Sequence, residues 1–258
     1  MCRLAAYIGP DLFLHKLLDE EPHSLFKQSW ASEELRSTCL NADGYGFGWY
    51  REDREAAIYT STLPIWSDTN LSGLAQSLQS TLWLAYIRSA TPGQAMNQAN
   101  TQPFKHNNFT FLHNGRIENF NAGPRAALHE YLSAEIASEI EGNTDSEYLF
   151  AMCKQHLNTG VSIEDAIVAT FEGLKSLGFA EPALLNMIIS DGEKTIACRH
   201  ALNGGKCPSL YYTNSHPHYP DALVIASERF SLSTHWHSIE EHSLLSVDRQ
   251  GKLEFTSL

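Results

Sequence analysis

An α+β fold with largely antiparallel sheets is what this sequence predicts, and three observations carry the prediction. Apolar runs of strand length fill both ends of the chain, helical spacing fills its middle, and no GxGxxG opens a helix. Strands and helices do not alternate regularly, which excludes a doubly wound parallel sheet. No low-complexity tract, Pro/Gly linker or repeat divides residues 2–258, so they read as one domain.

The elements follow in order. Cys2–Ile8 is an apolar strand stopped by Gly9-Pro10, and Asp11–Glu20 has helical spacing at Leu12, Leu14, Leu17 and Leu18. The glycine-rich stretch Asn41–Trp49 reads as a loop feeding a strand. Ala56–Thr60, Thr81–Arg88 and Asn108–His113 read as strands, the second apolar enough to be buried on both faces. Pro124–Ile140 spaces Leu128, Leu132, Ile136 and Ile140 by four residues, a helical period. Asp145–Leu157 opens with Thr144-x-x-Glu147, a capping-box signature, and Ser162–Leu177 is again helical. Strands return at Leu184–Ser190, Lys194–Arg199, Leu210–Tyr212, Leu223–Ser227 and Ser243–Val247.

Composition narrows the function. With 43% apolar and 19% charged residues the chain can bury a core. Lys plus Arg number 18 against 30 Asp plus Glu, a net charge of −12, which argues against nucleic-acid or anionic-membrane partners. The five cysteines, Cys2, Cys39, Cys153, Cys198 and Cys207, form no CxxC pair and point to a reducing, cytoplasmic setting. No apolar run is long enough to span a bilayer, and the N-terminus lacks the pattern of a signal peptide.

Chemistry concentrates at a few positions. Removal of Met1 would leave Cys2 with a thiol and a free α-amine, a nucleophile and a base on one residue. Arg88 ends an apolar strand and suits bidentate grip of a carboxylate, although a surface ion pair is the commoner fate of arginine. Asn114 and Gly115 offer two donors for an oxyanion, or else form an ordinary Asn-Gly hairpin turn. Asp145 complements a helix dipole and, beside an arginine, could bind an ammonium. His216-Pro-His218 and His235-Trp-His237 lack partners at metal-site spacing, and Cys198 and Cys207 near His200 read as free thiols, so no metal is expected.

Six segments occur in an order that resembles the class II glutamine amidotransferases, which are N-terminal-nucleophile (Ntn) hydrolases. They are Met1-Cys-Arg, Asn41-Ala-Asp-Gly-Tyr-Gly, Arg88-Ser-Ala-Thr, Asn100-Thr-Gln-Pro-Phe, His113-Asn-Gly and Thr144-Asp-Ser-Glu. Coverage is dense to about residue 150 and thins beyond it, where Ala226-Ser-Glu228 looks like a late family motif. Gln28-Ser-Trp30 adds a likeness to stand-alone γ-glutamyl hydrolases of the ergothioneine-pathway kind. The resemblance implies a four-layer αββα fold with two largely antiparallel sheets between helical layers. It implies Cys2 as nucleophile, Asn114 and Gly115 as oxyanion hole, and Arg88, Asp145 and Thr91 on the glutamyl head group. Asn41, Asp43 and Gln102 would support that site. Gln102 departs from the family, where His often precedes the proline, so the segment keeps hydrogen bonding but cannot titrate.

The reading that follows is hydrolysis of a small-molecule γ-glutamyl amide through a Cys2 thioester, without metal or organic cofactor. The chain's length leaves no room for a fused synthase, which favours hydrolysis over ammonia transfer. Two alternatives stay open: a glutaminase subunit serving a separate synthetase, and an inactive γ-glutamyl sensor or scaffold. Homo-oligomerisation is open as well. The amine half of the substrate is expected against the loops Pro64–Asn70 and Gly93–Ala99, with Trp66 and Met96 as exposed candidates.

Overall fold

Alternation along the central strands shows how one chain buries two sheets. In the computed structural model, which describes residues 1–34, 40–91, 94–232 and 234–258, the first half supplies β1 (Arg3–Phe13), β2 (Tyr45–Tyr50), β3 (Ala56–Ser61), β4 (Gln79–Ile87), β5 (Phe104–His106) and β6 (Phe109–Ile117). The second half adds β7 (Ala183–Ser190), β8 (Lys194–Arg199), β9 (Ala201–Leu202), β10 (Tyr211–Thr213), β11 (Leu223–Ala226), β12 (His237–Ser238), β13 (Ser243–Asp248) and β14 (Leu253–Ser257). The helices are α1 (Leu14–Asp19), α2 (Leu25–Ala31), α3 (Leu71–Ser77), α4 (Pro124–Tyr131), α5 (Ala134–Ser138), α6 (Asp145–Leu157) and α7 (Ile163–Ser176).

The strands pair antiparallel in two sheets, one ordered β12-β10-β11-β1-β4-β2-β3 and the other β14-β13-β8-β7-β6-β5, with β9 beside β7. Leu4, Ala6 and Ile8 of β1 and Leu82, Leu84 and Tyr86 of β4 pack with Leu112, Ile188, Ala197 and Leu245 between the sheets. The intervening Ala5, Tyr7, Trp83 and Ala85 turn the other way, onto Leu14, Leu17 and Leu18 of α1, Leu25 of α2 and Leu71 of α3. On the far side Phe111, Leu185, Ile189 and Ile196 pack on Leu128, Leu149, Met152, Ile167 and Phe171 of α4, α6 and α7. The result is the expected αββα sandwich. It explains why the 4–8 stretch of β1 and the 82–87 stretch of β4 are apolar at every position: a period of two with both faces buried leaves no polar face. Among the described residues no helix is long and apolar enough to cross a membrane.

Several elements depart from the sequence reading. Gly9-Pro10 does not end β1; the register shifts between Ile8 and Leu12, and pairing resumes as Leu12↔Ser80 and Phe13↔Gln79. Proline cannot donate to a ladder and is accommodated where the ladder is already interrupted, which shortens α1 to Leu14–Asp19. The helix expected over Pro124–Ile140 is two, because Ser133 leaves the helical path and its side chain caps the second at Ile136 N–H. Thr144 does cap α6 through Glu147 N–H, but the Glu147 carboxylate reaches back to Gly142 and Glu141 instead of closing the box. Helices α2 and α3 and strands β5, β9, β12 and β14 had no counterpart in the sequence reading. Cys39, Pro92 and Gly93 lie outside the described residues.

Gly46 and Gly48 are inside β2, where the 102–103 segment presses on the strand. A Cβ on Gly46 would lie 2.3 Å from the Gln102 carbonyl oxygen and 2.8 Å from that of Tyr59. Gly46→Ala is therefore expected to lower the unfolding free energy by about 1–3 kcal/mol. Gly73→Ala, in α3 with no atom within 4 Å of the new methyl, should raise it by about 0.5–1 kcal/mol. Urea unfolding of the two variants checks the contrast.

Candidate active site

The site forms where β1 begins. Arg3 pairs with Ile87, so Cys2 is brought beside the residues that follow β4. The Cys2 sulfur accepts the Ser89 N–H at 3.3 Å and lies 3.4 Å from the Ser89 carbonyl oxygen. It opens into a pocket of about 300 Å³. Arg88, Thr91, Gln102, Gly115 and Asp145 line that same pocket, together with Met1, Tyr86, Gln94, Asn100 and Ser146.

Arg88 is 2% exposed, and its guanidinium donates to the carbonyls of Asp43 (3.3 Å) and Ala95 (3.2 Å). Among the described residues no carboxylate pairs with it, so a buried cation faces the pocket with only carbonyl dipoles for company. A charge in that state favours an anion. The Asp43 carboxylate accepts Ala90 N–H at 2.7 Å, and Asp43 N–H donates to the Arg88 carbonyl, so this loop braces the strand end. Thr91 is on the rim, its N–H directed at Gln94 Oε1 (3.4 Å).

The outer edge of β6 is the other half of the site. In an antiparallel strand, alternate residues send their main-chain N–H groups to the same edge. His113 N–H donates to Gln102 Oε1 at 2.5 Å, and Ile117 N–H donates to Asp145 Oδ2 at 2.7 Å. Gly115 is between them and shares that edge, and β5 pairs β6 only from Phe109 to Phe111. Leu185, opposite Gly115, gives its own N–H to His200 instead. The Gly115 N–H is thus aimed at the pocket. A Cβ at Gly115 would lie 1.9 Å from the Leu184 carbonyl oxygen, so no other residue fits. Asn114 is buried next to it, behind the residues that line the pocket, and among the described residues its amide oxygen accepts no hydrogen bond. Asn114-Gly115 is strand interior, paired with Asn186 and Leu185, which removes the alternative of a hairpin turn and extends the strand beyond the expected end at His113.

Gln102 holds this edge in place. Its Nε2 donates to the His113 carbonyl (3.1 Å) and the Tyr86 hydroxyl (3.0 Å) while Oε1 takes the His113 N–H. One side-chain amide therefore satisfies both main-chain groups of His113 and still donates to Tyr86. Burial, followed by the neighbouring Cys2, pushes the Tyr86 hydroxyl well above its ordinary pKa, so it stays protonated. The His113 ring is buried between Ser146 Oγ (2.8 Å) and the Leu184 carbonyl (2.9 Å). A carbonyl only accepts, so Nε2 carries the proton; burial lowers the ring's pKa and keeps it neutral.

Some expected members fall elsewhere. Asn41 is buried away from the pocket, its N–H on the Ser29 carbonyl. Pro64–Asn70 does not reach the site; Ile65, Trp66 and Asp68 line a separate pocket of about 380 Å³ against α1 and α3. Met96 is 65% exposed and not in the wall, whereas Gln94 of the same loop is. Tyr86 was overlooked because it reads as one more apolar strand position. Asn100 is one residue of a motif in the sequence, and its amide ties Ala95 to Asn143 and so joins two walls. Far from the pocket, donor atoms of Cys207, Glu241 and His242 come within 4.8 Å of one another, with Arg199 already 3.3 Å from Glu241.

Comparison with known proteins places this geometry. Residues 24–257 match the family model of class II glutamine amidotransferases. A probable glutamine amidotransferase of Saccharomyces cerevisiae is 27% identical over 97% of this chain and 82% of its own. A γ-glutamyl-hercynylcysteine sulfoxide hydrolase of Mycolicibacterium smegmatis is 28% identical over 96% of each chain. Among solved structures, a class II glutamine aminotransferase domain protein of Silicibacter pomeroyi superposes with a TM-score of 0.72 at 24% identity, covering 100% of this chain and 99% of that one. The glutamine phosphoribosylpyrophosphate amidotransferase of B. subtilis gives 0.68 at 14% identity, over 99% of this chain and 49% of that one. At these identities the structural likenesses speak to fold alone.

Gln102→Leu keeps the side chain's bulk and orphans the N–H and carbonyl of His113. The expected cost is about 2–6 kcal/mol, from about 1–3 for each of the two buried groups left unpaired. Calorimetric unfolding of this variant beside Gln102→Glu, which keeps only the acceptor half, checks it.

Proposed function

The chain belongs to the class II glutamine amidotransferase family, and we propose that it hydrolyses a γ-glutamyl amide through Cys2, releasing glutamate. The observation that carries this reading is the sharing of one small pocket by the Cys2 thiol, the unpaired Arg88 guanidinium and the Asp145 carboxylate. Opposite charges at fixed positions suit the α-carboxylate and α-ammonium of a glutamyl head group. Asp145 already accepts from Ile117 and Ser146 N–H and retains lone pairs for an ammonium.

In this mechanism, removal of Met1 frees the Cys2 α-amine, which takes the thiol proton. The thiolate attacks the γ-carbonyl carbon, and the oxyanion is held by Gly115 N–H and the Asn114 side-chain amide. Collapse breaks the C–N bond, the α-ammonium returns its proton to the departing amine, and a thioester remains. Water, deprotonated by the same amine, then attacks the thioester to yield glutamate and the free thiol. Asp43, Gln102 and Tyr86 hold the walls. The M. smegmatis relative, a hydrolase named for a γ-glutamyl sulfoxide conjugate, supports a conjugate of γ-glutamate with a larger amine as the substrate class. The S. cerevisiae relative, a probable glutamine amidotransferase, supports a second reading in which glutamine itself is cleaved.

A panel of glutamine, glutathione and γ-glutamyl sulfoxides assayed for glutamate release separates the two. Cys2→Ala is expected to cut release by more than about 10³-fold, and release retained by a folded Cys2→Ala protein overturns the assignment. Arg88→Met should raise KM by about 10²-fold, the order expected when one partner of a buried charge contact is removed.

A further inference from the structure

The residue after the nucleophile is a buried arginine tied into a chain of charges. Arg3 is 2% exposed; its Nη1 donates to the Cys2 carbonyl at 2.9 Å and its Nη2 meets Glu228 Oε2 at 2.8 Å. Glu228 is equally buried, and its other oxygen contacts His23 Nε2 at 2.5 Å and accepts the Glu33 N–H at 2.6 Å. The segment is anchored on both sides. Ser227 exchanges hydrogen bonds with Leu4, and Gln28 Nε2 donates to the carbonyls of His23 and Glu228. A buried ion pair is a poor source of stability, since desolvation offsets much of the attraction. Its placement directly behind Cys2 calls for another role.

We propose that Arg3 is the positioning residue of the nucleophile, fixing the main chain of Cys2 through its carbonyl, with Glu228 and His23 setting the net charge felt by the α-amine. This rests on the reading of Cys2 as the N-terminal nucleophile. The other charged or titratable groups facing this end are Tyr86 and Arg88 from β4 and its end, Arg116 from β6, Asp145 from α6, and Glu34. Burial holds the Met1 amine, one residue before Cys2, below its ordinary pKa, with Arg3 and Arg116 acting in the same direction and Cys2 opposing. Burial would raise the Glu228 carboxyl, but the His23 contact and the Arg3 charge bring it below the usual value, so it is ionised at neutral pH. A nearby cation disfavours the ammonium form, and a nearby anion favours it. Once Met1 is removed, the Arg3 charge therefore disfavours protonation of the Cys2 α-amine, and Glu228 tempers that effect.

The sign gives the test. In enzyme lacking Met1, the acid limb of the kcat/KM–pH profile for γ-glutamyl-p-nitroanilide should move up by about half a pH unit in Arg3→Gln and down by a similar amount in Glu228→Gln. Arg3→Lys should return the limb to the wild-type position. A second arm needs no turnover: in the Cys2→Ala background, the α-amine is titrated by its rate of acetylation with acetic anhydride, read by peptide mass spectrometry. The same opposite shifts are expected there. Folded variants whose profiles coincide with wild type, or shift in one common direction, overturn the proposal. Absence of wild-type turnover on every γ-glutamyl compound would instead sink the functional reading, and the acetylation arm would still decide the role of Arg3.

Discussion

The outer edge of β6 beyond the reach of β5 is the constraint on which the rest of the site depends. A sheet edge presents a row of main-chain donors that must be satisfied or put to use. Here two of three successive N–H groups are taken by side chains from different parts of the chain, Gln102 at His113 and Asp145 at Ile117. The middle one, at Gly115, remains directed at the pocket beside Cys2. Gln102 and Asp145 thus do two things at once: they line the cavity and they hold the strand so that a single donor points inward. Glycine is required there by the Leu184 carbonyl opposite, which leaves no space for a side chain.

Charge is distributed around that donor with the same economy. The pocket brings a cation and an anion to its walls without pairing them to each other, since Arg88 is held by carbonyls and Asp145 by N–H groups. Such backbone partners orient a charge while leaving its attraction for a ligand unspent. On the other side of Cys2, Arg3 and Glu228 are paired and sealed from solvent. Cys2 therefore sits between an open charge arrangement suited to binding and a closed one suited to holding a main chain still.

Much of the architecture was legible in the sequence because it is written in local periods. Strand β8 and helix α6 fall on the residues expected, and the αββα layering agrees with the family resemblance. Legibility ends where tertiary partners override local propensity. Asn114-Gly115 carries a strong hairpin signal, yet β7 continues past it on one side and pulls both residues into the ladder. Gly9-Pro10 is a breaker in isolation and only a bulge against β4. Short strands such as β9 and β12 owe their existence to neighbours far along the chain. For the candidate site, residue types singled out Cys2, Arg88 and Asp145, which share one pocket. They could not reveal that Gln102 reaches across to His113, that Asn41 faces away, or that Pro64–Asn70 serves a different pocket.

The central claim is that Cys2, as the N-terminal residue, carries the glutamyl group covalently. The most direct measurement is acid quench of the enzyme during turnover of a γ-glutamyl substrate, followed by peptide mass spectrometry. The account predicts an N-terminal peptide that begins at Cys2 and is heavier by one glutamyl group, with the adduct lost on treatment with hydroxylamine. Glutamate release by a chain that retains Met1, or an adduct on any residue other than Cys2, would contradict it.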